Sequence, residues 1–486
     1  MNQWPFLLEQ ICKVKYIVAK SQINYVYQTM ESFNILQQWL SGDKKLGIPK
    51  AEISPSVEII DDPVTGRSLF ATSSIQRHEK IITIPHTYLL NFITIIKHLE
   101  AWNPDLKGHG LNYGQIYVPR YSKQDEDSAG VSQIYRSFKL DEILSLSSFQ
   151  LVSLYLVLEK ERGKLSFWSP FINVLPDYND LRFMPFTWLV KNTNSIIFPL
   201  LPDSIQKHCQ EQLERFNKDY KVVSELIHRH TLPTTSSNLK VLSKDDFLWA
   251  WLCCNSRCLY MQLPKKLNKT IDDNFTLVPY VDFLNHHVDD HCGIEITNHQ
   301  GFLVNTQDAS YHKNDQIYFS YGGHSDEFLL CEYGFMFDLG INKYNSLNLT
   351  DYIVEFMSPI HIEFLKKEGY FDDYTCNENE LSFRTEIALA CVQEKPVEFA
   401  EGGCPRSLRL FIDGFTDGEC YKVNSGVLAK DAIRKIKGCS ENKIKQLHGL
   451  KRVDKDIVDM AIKTHEKIIK IADHIQLPNV GDNVLD

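Results

Sequence analysis

The sequence lacks the features that would assign it to a membrane or secreted class. No apolar run approaches the roughly 20 residues that a membrane-spanning helix needs. The N-terminal stretch MNQWPFLLEQICKVKYIVAK has Glu9 before any lysine and no small-residue cleavage site, so it makes a poor signal peptide. The 12 cysteines are scattered, without the regular spacing of a disulfide framework. We expect a cytoplasmic protein with reduced thiols, with the nucleus as the other compartment open to it.

Positive charge and common catalytic motifs are also scarce. A formal net charge of −10 argues against direct nucleic-acid binding, which needs a basic surface. The chain contains no G-x-S-x-G elbow, no papain- or caspase-like cysteine context, no complete G-x-G-x-x-G and no P-loop. The usual nucleophilic hydrolases and nucleotide-binding folds are therefore poor interpretations.

One loop, HHVDDHC, has the letters of a metal site. Its possible ligands are His286, His287, Asp289, Asp290, His291 and Cys292. Structural zinc sites usually join two separated ligand pairs, whereas these candidates crowd a single loop. Cys254 and Cys258 lie one helical turn apart and could add two ligands, but buried small hydrophobic residues are the simpler interpretation. We expect no metal and interpret the loop as a polar turn.

Patterning predicts an α+β protein whose small sheets are split by a helical insertion and followed by an all-helical C-terminal domain. A chain of 486 residues also exceeds what one hydrophobic core usually organises. Residues 57–92 resemble an antiparallel meander, and LSSFQLVSLYLVLEKERG predicts a helix ending at Gly163. The predicted domains are an N-terminal helical segment 1–54, a β-rich domain 55–337 with the insertion at about 130–250, and a helical domain 338–486.

Two later segments make chemical sense together. We interpret VPYVDFLNH as a strand that ends by presenting Asn285 and His286. About 35 residues on, DQIYFSYGGHSDEFLLCEYGF brings Tyr321 and then Tyr333. For each tyrosine alone, a core or interface aromatic is the commoner role. An Asn-His pair and a tyrosine at strand ends suit a site that binds and orients a substrate.

Four blocks in this order resemble the SET-domain protein methyltransferases, in the branch of the Rubisco large-subunit methyltransferases and the fungal ribosomal lysine methyltransferases. The blocks are TGRSLFATSSIQRHEKIITIP, CNSRCL, VPYVDFLNHH and DQIYFSYG…CEYGF. Each block alone is weak, but their combination and spacing are specific. The resemblance spans about residues 55–337 and implies a SET-domain fold, with the C-terminal domain similar only in its helical texture.

The resemblance implies S-adenosylmethionine as cofactor and a protein lysine as methyl acceptor. The cofactor would be held by the backbone at Thr65, Gly66 and Arg67, by Arg257 on its carboxylate, by Asn285 on its ammonium group, by the His286 backbone at its adenine, and by Tyr321 and Tyr333. Tyr321 matches the catalytic tyrosine. Ser256, Leu259, Asp282 and Phe319 would line the lysine channel.

The proposed chemistry accounts for these residue types. Methyl transfer is an in-line displacement that needs a neutral amine at close distance, so most of the acceleration can come from positioning. A narrow apolar channel lowers the pKa of a lysine amine because it disfavours the charged form. A tyrosine is a poor base near neutral pH, so Tyr321 would aim the methyl group through weak contacts, together with nearby backbone carbonyls.

Three departures refine the resemblance. Ser68 stands where the family usually has a second glycine, which puts the shape of the cofactor loop in doubt. No C-x-C-x4-C follows Tyr333, so the zinc motif of histone-directed relatives is missing. Leu259 is apolar where the actin-histidine branch carries Asn, which fits a lysine acceptor better than an imidazole.

The expected partner is a protein substrate, either a ribosomal protein or a translation elongation factor, and we expect the enzyme to be a monomer. A histone or another nuclear protein is the alternative substrate. A catalytically silent SET-fold binding protein is the alternative class, against which the retention of Tyr321, Arg257 and the Asn285-His286 pair argues.

Overall fold

The computed structural model describes residues 31–62, 64–107, 116–120, 130–231, 242–264, 267, 270, 273–289, 292–297, 301–475 and 477. The chain divides into two compact units. The first comprises Met1–Leu181 and Glu214–Gly322, and the second comprises Arg182–Leu213 and Gly323–Asp486. None of the helices in these described ranges combines the length and apolar composition that crossing a bilayer requires.

Short strands form small sheets in the first unit. They are β1 (Glu52–Ile53), β2 (Val57–Asp62), β3 (Gly66–Ala71), β4 (Lys80–Ile84), β5 (Leu90–Asn91), β6 (Leu259–Tyr260), β7 (Phe275–Leu277), β8 (Asn285–His286), β9 (Gly293–Thr297), β10 (Gly301–Asn305) and β11 (Tyr318–Phe319). Their orders are β1-β4-β10-β9, β5-β7-β6, β2-β3 and β8-β11. All pairs are antiparallel except β8 with β11, which is parallel.

The predicted meander over residues 57–92 is wrong in its pairing. β2 and β3 form the expected hairpin, with Val57 opposite Ala71 and Asp62 opposite Gly66. β4 instead lies between β1 and β10, which comes about 220 residues later in the chain. Because β4 is buried at four of its five residues, its partner is set by the core that it completes.

Helices between the two β-rich parts confirm the predicted insertion. The helices up to residue 257 are α1 (31–40), α2 (Phe92–Trp102), α3 (Val131–Ser137), α4 (Leu140–Ser145), α5 (Ser148–Arg162), α6 (Ser169–Ile172), α7 (Pro185–Lys191), α8 (Asp203–His230) and α9 (Lys244–Arg257). Ser147 caps α5 by accepting from the Gln150 amide, and the helix ends at Gly163, whose φ of 54° favours glycine. α5 is buried on nearly every side and packs against α9.

The second unit is helical, as predicted for the C-terminal region. Its further elements are α10 (Asp326–Tyr333), β12 (Leu347–Asn348), α11 (Thr350–Val354), α12 (Pro359–Glu368), β13 (Thr375–Cys376), α13 (Phe383–Cys391), α14 (Arg406–Ile412), α15 (Glu419–Gly449) and α16 (Lys455–His474). The spacing of apolar residues in VDKDIVDMAIKTHEKIIKIADHI predicts an amphipathic helix, and α16 buries Ile457, Ile468 and Ile471 along this stripe.

A buried polar cluster holds the start of α10 within this unit. Asp326 accepts hydrogen bonds from the Phe337 amide at 3.0 Å and from Asn342 and Asn345 Nδ2 at 3.2 and 2.6 Å. Its Oδ2 also pairs with the Lys467 ammonium of α16. Both carboxylate oxygens are therefore satisfied although the residue is only 1% exposed.

The N-terminal segment is predicted to be helical from apolar residues near helical spacing, which are Ile23, Val26, Tyr27, Met30, Phe33 and Leu36. Residues 31–40 are helical and bury Phe33 and Leu36, which were assigned to its apolar face. The other apolar positions of that prediction, Ile23 to Met30, lie outside the described residues.

Candidate active site

The hairpin turn between β2 and β3 carries the first predicted cofactor residues. Asp62 Oδ1 accepts from the amides of Val64 and Thr65 at 2.9 and 2.8 Å. These amide donors hold the pKa of Asp62 below its usual value. Gly66 follows with a φ of 68°, a conformation that side chains rarely adopt. Asp62 and residues 64–66 therefore form a tight turn in which Thr65 is exposed and Gly66 is partly exposed.

The next two residues anchor that turn in different ways. The Arg67 guanidinium turns away from the turn, donating to the Val174 carbonyl at 2.7 Å and pairing with Asp180. Ser68 is fully buried, and its hydroxyl donates to the Gly66 carbonyl at 2.9 Å. Ser68 is therefore hydrogen-bonded to the turn that precedes it.

Asn285 connects this turn to a distant part of the chain. Its Nδ2 donates to the Thr65 carbonyl at 3.0 Å and to Ser68 Oγ at 2.8 Å. Asn285 and His286 form β8, which lies parallel to β11 with Asn285 opposite Tyr318. The structure thus brings together the N-terminal hairpin, the LNH segment and the segment that precedes Tyr321.

Tyr321 is fixed against the same short strand. Its amide donates to His286 Nδ1 at 3.1 Å, and the two rings stack with centroids 5.1 Å apart. Its hydroxyl donates to the Leu284 carbonyl at 2.9 Å. The phenol proton is therefore engaged, while the oxygen keeps lone pairs that can accept weak contacts.

Arg257 and Asp282 form a buried ion pair beside this network. Arg257, the last residue of α9, donates from Nη1 to the Asp282 carbonyl at 3.0 Å and to its Oδ2 at 3.1 Å. The Asp282 side chain is 0% exposed and that of Arg257 20% exposed. Burial raises the pKa of Asp282, and the Arg257 charge opposes that rise. Nη2 of Arg257 bonds to none of the described residues, so it remains available to an anionic group.

The strand predicted over VPYVDFLNH is interrupted, which the sequence did not indicate. β7 ends at Leu277, a 3-10 turn covers Val281–Phe283, and β8 begins at Asn285. Tyr280, fully buried, has a φ of 74°, a rare conformation for a bulky residue. Strained residues of this kind cluster at functional sites. Here the strain redirects the chain so that Asp282 meets Arg257 and Asn285 meets the hairpin turn.

The helix α1 supports that turn from behind, a role that sequence reasoning missed. Gln37 Nε2 lies 3.5 Å from the Tyr280 hydroxyl, and the Phe33 and Phe283 rings meet edge to face at 5.6 Å. Burial raises the pKa of Tyr280 to about 12, so its hydroxyl stays protonated. Apolar positions in a helix carry no signal of which turn they will contact.

The other described residues predicted for the site lie on four different elements, α9, β6, β11 and α10. Ser256 is in the last turn of α9 and donates to the Leu252 carbonyl at 2.8 Å, and Leu259 opens β6 opposite Thr276. Phe319 ends β11, and its carbonyl accepts from the His287 amide at 3.1 Å. Tyr333 ends α10 in the second unit, where burial raises its pKa to about 12.

The polar loop after His286 contains no metal cluster in its described part. Across the described ranges, no group of three His, Cys, Asp or Glu side chains is arranged to hold an ion. Asp290 and His291 lie outside these ranges. Cys254 and Cys292 are fully buried, and Cys292 Sγ lies 3.6 Å from the Tyr311 hydroxyl.

Comparison with known proteins gives two family matches that follow the order of the chain. Residues 66–322 match the SET domain, and residues 345–476 match the C-terminal domain of ribosomal lysine N-methyltransferase 2. The first match begins at Gly66, the last residue of the hairpin turn, and covers Arg257, Asn285, His286 and Tyr321.

Similar whole proteins agree with these matches. Ribosomal lysine N-methyltransferase 2 of Saccharomyces cerevisiae is 30% identical over 442 residues, covering 82% of this chain and 88% of its own. Ribosomal lysine N-methyltransferase set11 of Schizosaccharomyces pombe is 25% identical, covering 80% and 88%. The crystal structure of the SET domain of LSMT bound to lysine and AdoHcy superposes with a TM-score of 0.58 at 15% identity, covering 92% of this chain and 90% of that one.

Proposed function

The chain belongs to the SET-domain family of ribosomal lysine N-methyltransferases, and from that premise we propose that it transfers a methyl group from S-adenosylmethionine to a lysine of a ribosomal protein. The observation that carries the proposal is the bonded network that joins Thr65, Ser68, Asn285, His286 and Tyr321. Both yeast relatives are ribosomal lysine N-methyltransferases, which suggests the substrate class.

The residues present fit a cofactor with an amino-acid end. Arg257 Nη2 is a charged donor that bonds to none of the described residues, and its side chain is partly exposed. A carboxylate is the group that such a guanidinium binds best. Asn285 and the Thr65 carbonyl offer polar groups suited to an ammonium. Thr65, Gly66, Arg257, Asn285 and His286 would hold the cofactor in this way, and Tyr333 is proposed beside it.

S-adenosylmethionine, when bound, supplies a methyl group made electrophilic by its sulfonium. The chain's own residues then have a positioning task. The Tyr321 oxygen, held by its donation to Leu284, presents lone pairs that accept weak C–H contacts. Carbonyls of Ser256, Asp282 and Phe319, with the apolar Leu259, are proposed to orient the neutral lysine amine.

A domain assignment follows from the same comparison. We assign residues 55–337 to the catalytic domain and residues 338–486 to a domain that engages the substrate protein, with 1–54 as an N-terminal helical segment. The two family matches, over 66–322 and 345–476, support this division. A ribosomal substrate favours a cytoplasmic location, and the monomer remains our expectation.

The test is incubation of the purified chain with labelled S-adenosylmethionine and separated ribosomal proteins. We expect labelling of a ribosomal protein, with kcat reduced about 100-fold or more in Tyr321→Phe, comparable to the loss of one transition-state contact. Tyr311→Phe is the matched control, because that buried hydroxyl contacts Cys292 away from the network.

The outcomes separate the competing functions. Labelling of histones or an elongation factor instead of ribosomal proteins would reject the ribosomal substrate but keep the activity. Absence of any labelled protein together with absence of cofactor binding would indicate a silent SET-fold binding protein. Equal rates for wild type and Tyr321→Phe would remove Tyr321 from the reaction.

A further inference from the structure

The second unit contains a cavity that the proposed reaction does not use. Its volume is about 90 Å³, and it lies where the start of α8 and the start of α10 approach β12, α11 and the long helices α15 and α16. Its apolar lining residues include Leu347, Ile436 and Ile468, each at most 9% exposed. Most of the other lining residues are polar, so the cavity combines apolar contact with hydrogen-bonding groups, as binding sites do.

Several of the polar lining residues are hydrogen-bond acceptors. Glu327 Oε2 accepts from Ser204 Oγ at 2.6 Å, and its Oε1 bonds to none of the described residues. Ser440 is only 3% exposed, and its hydroxyl also has no partner in the described ranges. At the rim, Asp351 is exposed and forms no ion pair with any described residue. The Glu327 side chain is partly buried and its free oxygen, like the Ser440 hydroxyl, can accept from a donor that enters the cavity.

His465 adds a buried acceptor to the cavity lining. It is 1% exposed, and its Nε2 lies 2.7 Å from the Leu200 carbonyl, which requires the proton on Nε2. Burial lowers the pKa of His465, so the ring is neutral and Nδ1 carries a lone pair. Nδ1 has no hydrogen-bond partner among the described residues.

The cations that line the cavity are already engaged. Lys443 Nζ donates to the Leu201 carbonyl at 2.9 Å and to Asp203 Oδ1 at 2.8 Å, which uses two of its three protons. Lys207 is 64% exposed and lies 3.8 Å from Asp372. With Asp203 balanced by Lys443 and Lys207 directed outward, the carboxylates of Glu327 and Asp351 dominate the local charge.

We propose that this cavity binds an organic cation, a primary ammonium or a guanidinium on an aliphatic stem. The tip would donate to Glu327 and Ser440, and the stem would pack on Leu347, Ile436 and Ile468. Charge-assisted hydrogen bonds to a carboxylate are among the stronger polar contacts. The same chemistry is found in a lysine or arginine side chain of a bound protein and in a free amine.

Calorimetric titration of the full chain tests the proposal without methyl transfer, so its result is independent of the proposed function. The probes are spermidine, free arginine, the capped peptide acetyl-Gly-Arg-Gly-amide, and inorganic phosphate as the anion. We expect binding of cations and none of phosphate. If the peptide has a lower Kd than free arginine and spermidine, the ligand is a protein side chain. If spermidine has the lowest Kd, the ligand is a free amine.

Two glutamate variants locate the site. Glu327→Gln keeps the shape and an acceptor for Ser204 but removes the charge, and we expect it to weaken cation binding about tenfold or more. Glu363→Gln changes an exposed glutamate of α12 in the same unit and should leave binding unchanged. Should Glu327→Gln melt early, Asp351→Asn at the rim replaces it, with a smaller loss expected. Cation binding by Glu327→Gln, or by Asp351→Asn in its place, that equals that of wild type would overturn the proposal, as would binding of phosphate or no cation binding.

Discussion

The two units each contain a buried carboxylate paired with a cation, but the pairs differ in how fully their polar atoms are satisfied. In the second unit, Asp326 uses both oxygens, with Lys467, Asn345 and two further donors around them. In the first unit, Asp282 Oδ1 and Arg257 Nε are buried without partners among the described residues. A satisfied network fixes a structure, whereas an incomplete one retains capacity for a ligand.

This difference predicts that the first pair matters for binding and the second for stability. Replacement of one partner in the complete cluster leaves a buried charge without compensation. Replacement in the incomplete pair should act mainly on the ligand that completes it. The variants below test that separation, from the largest expected effect to the smallest.

Asp326→Ala should have the largest effect. It leaves the buried Lys467 ammonium and the Asn345 amide without an acceptor, so we expect the free energy of unfolding to fall by about 3–5 kcal/mol. Hydrogen exchange of α10 and α16, resolved by mass spectrometry, measures the loss within the second unit.

Asp338→Ala provides the control for that loss. Asp338 pairs with Lys463 at 2.7 Å, one turn from Lys467 on α16, but its side chain is 81% exposed. An exposed pair contributes about 1 kcal/mol or less. Similar losses in the two variants would show that the buried cluster contributes no more to the free energy of unfolding than the exposed ion pair.

Arg257→Lys should lower cofactor affinity about tenfold or more, because an ammonium cannot reproduce the planar fork of a guanidinium. The free energy of unfolding should stay nearly unchanged. Calorimetric titration with S-adenosylmethionine measures the change. Arg409→Lys is the matched control, since Arg409 forms a complete fork with Glu368 at 2.8 and 2.9 Å in the second unit. A loss of cofactor affinity in both variants would contradict the separation.

Asp282→Asn should change the pH dependence of stability. Burial raises the native pKa of Asp282 above its ordinary value of 3.8, so the folded state holds this proton more tightly than the unfolded state. The carboxyl therefore lowers the free energy of unfolding as pH rises from 3.8 through the raised native pKa. As pH rises through this range, denaturant unfolding should show the free energy of unfolding of Asp282→Asn increasing relative to that of wild type. A difference that stays constant with pH would contradict the burial argument.

Ser68→Ala should have the smallest effect. It removes one acceptor of Asn285 Nδ2, while the bond from Asn285 to Thr65 remains. We expect a loss of about 1 kcal/mol, seen as a severalfold weaker binding of the cofactor. Ser73→Ala is the control, because it removes an exposed hydroxyl near the same hairpin that bonds to Ser56 at 2.9 Å. It should leave cofactor affinity unchanged.

Local patterns predicted much of this molecule. The helical insertion, the helix ending at Gly163 and the amphipathic α16 follow from periodicity and capping, which depend on neighbours in the chain. The grouping of Asn285, His286 and Tyr321 also came from the sequence, through the resemblance, and the structure brings these residues together. Their roles in cofactor binding remain proposals.

The features that were missed depend on residues far apart in the sequence. The partner of β4 is β10, and the partner of Asp326 is Lys467, 141 residues later. Tyr280 carries no local signal for its left-handed backbone, because tyrosine rarely adopts that conformation. Such strain persists only when the surroundings determine it, here the contact of Gln37 with Tyr280 and the packing of Phe33 on Phe283.

The hydrogen bond from Asn285 to Thr65 has a consequence for biosynthesis, because its partners are 220 residues apart. A ribosome adding about 5–20 residues per second completes the hairpin turn roughly 10–45 s before it adds Asn285. The nascent hairpin must wait through that interval with its site open, and loop closure over this length is entropically costly. Cofactor capture by ribosome-bound chains of increasing length should therefore begin abruptly, only after the segment ending at Tyr321 has emerged.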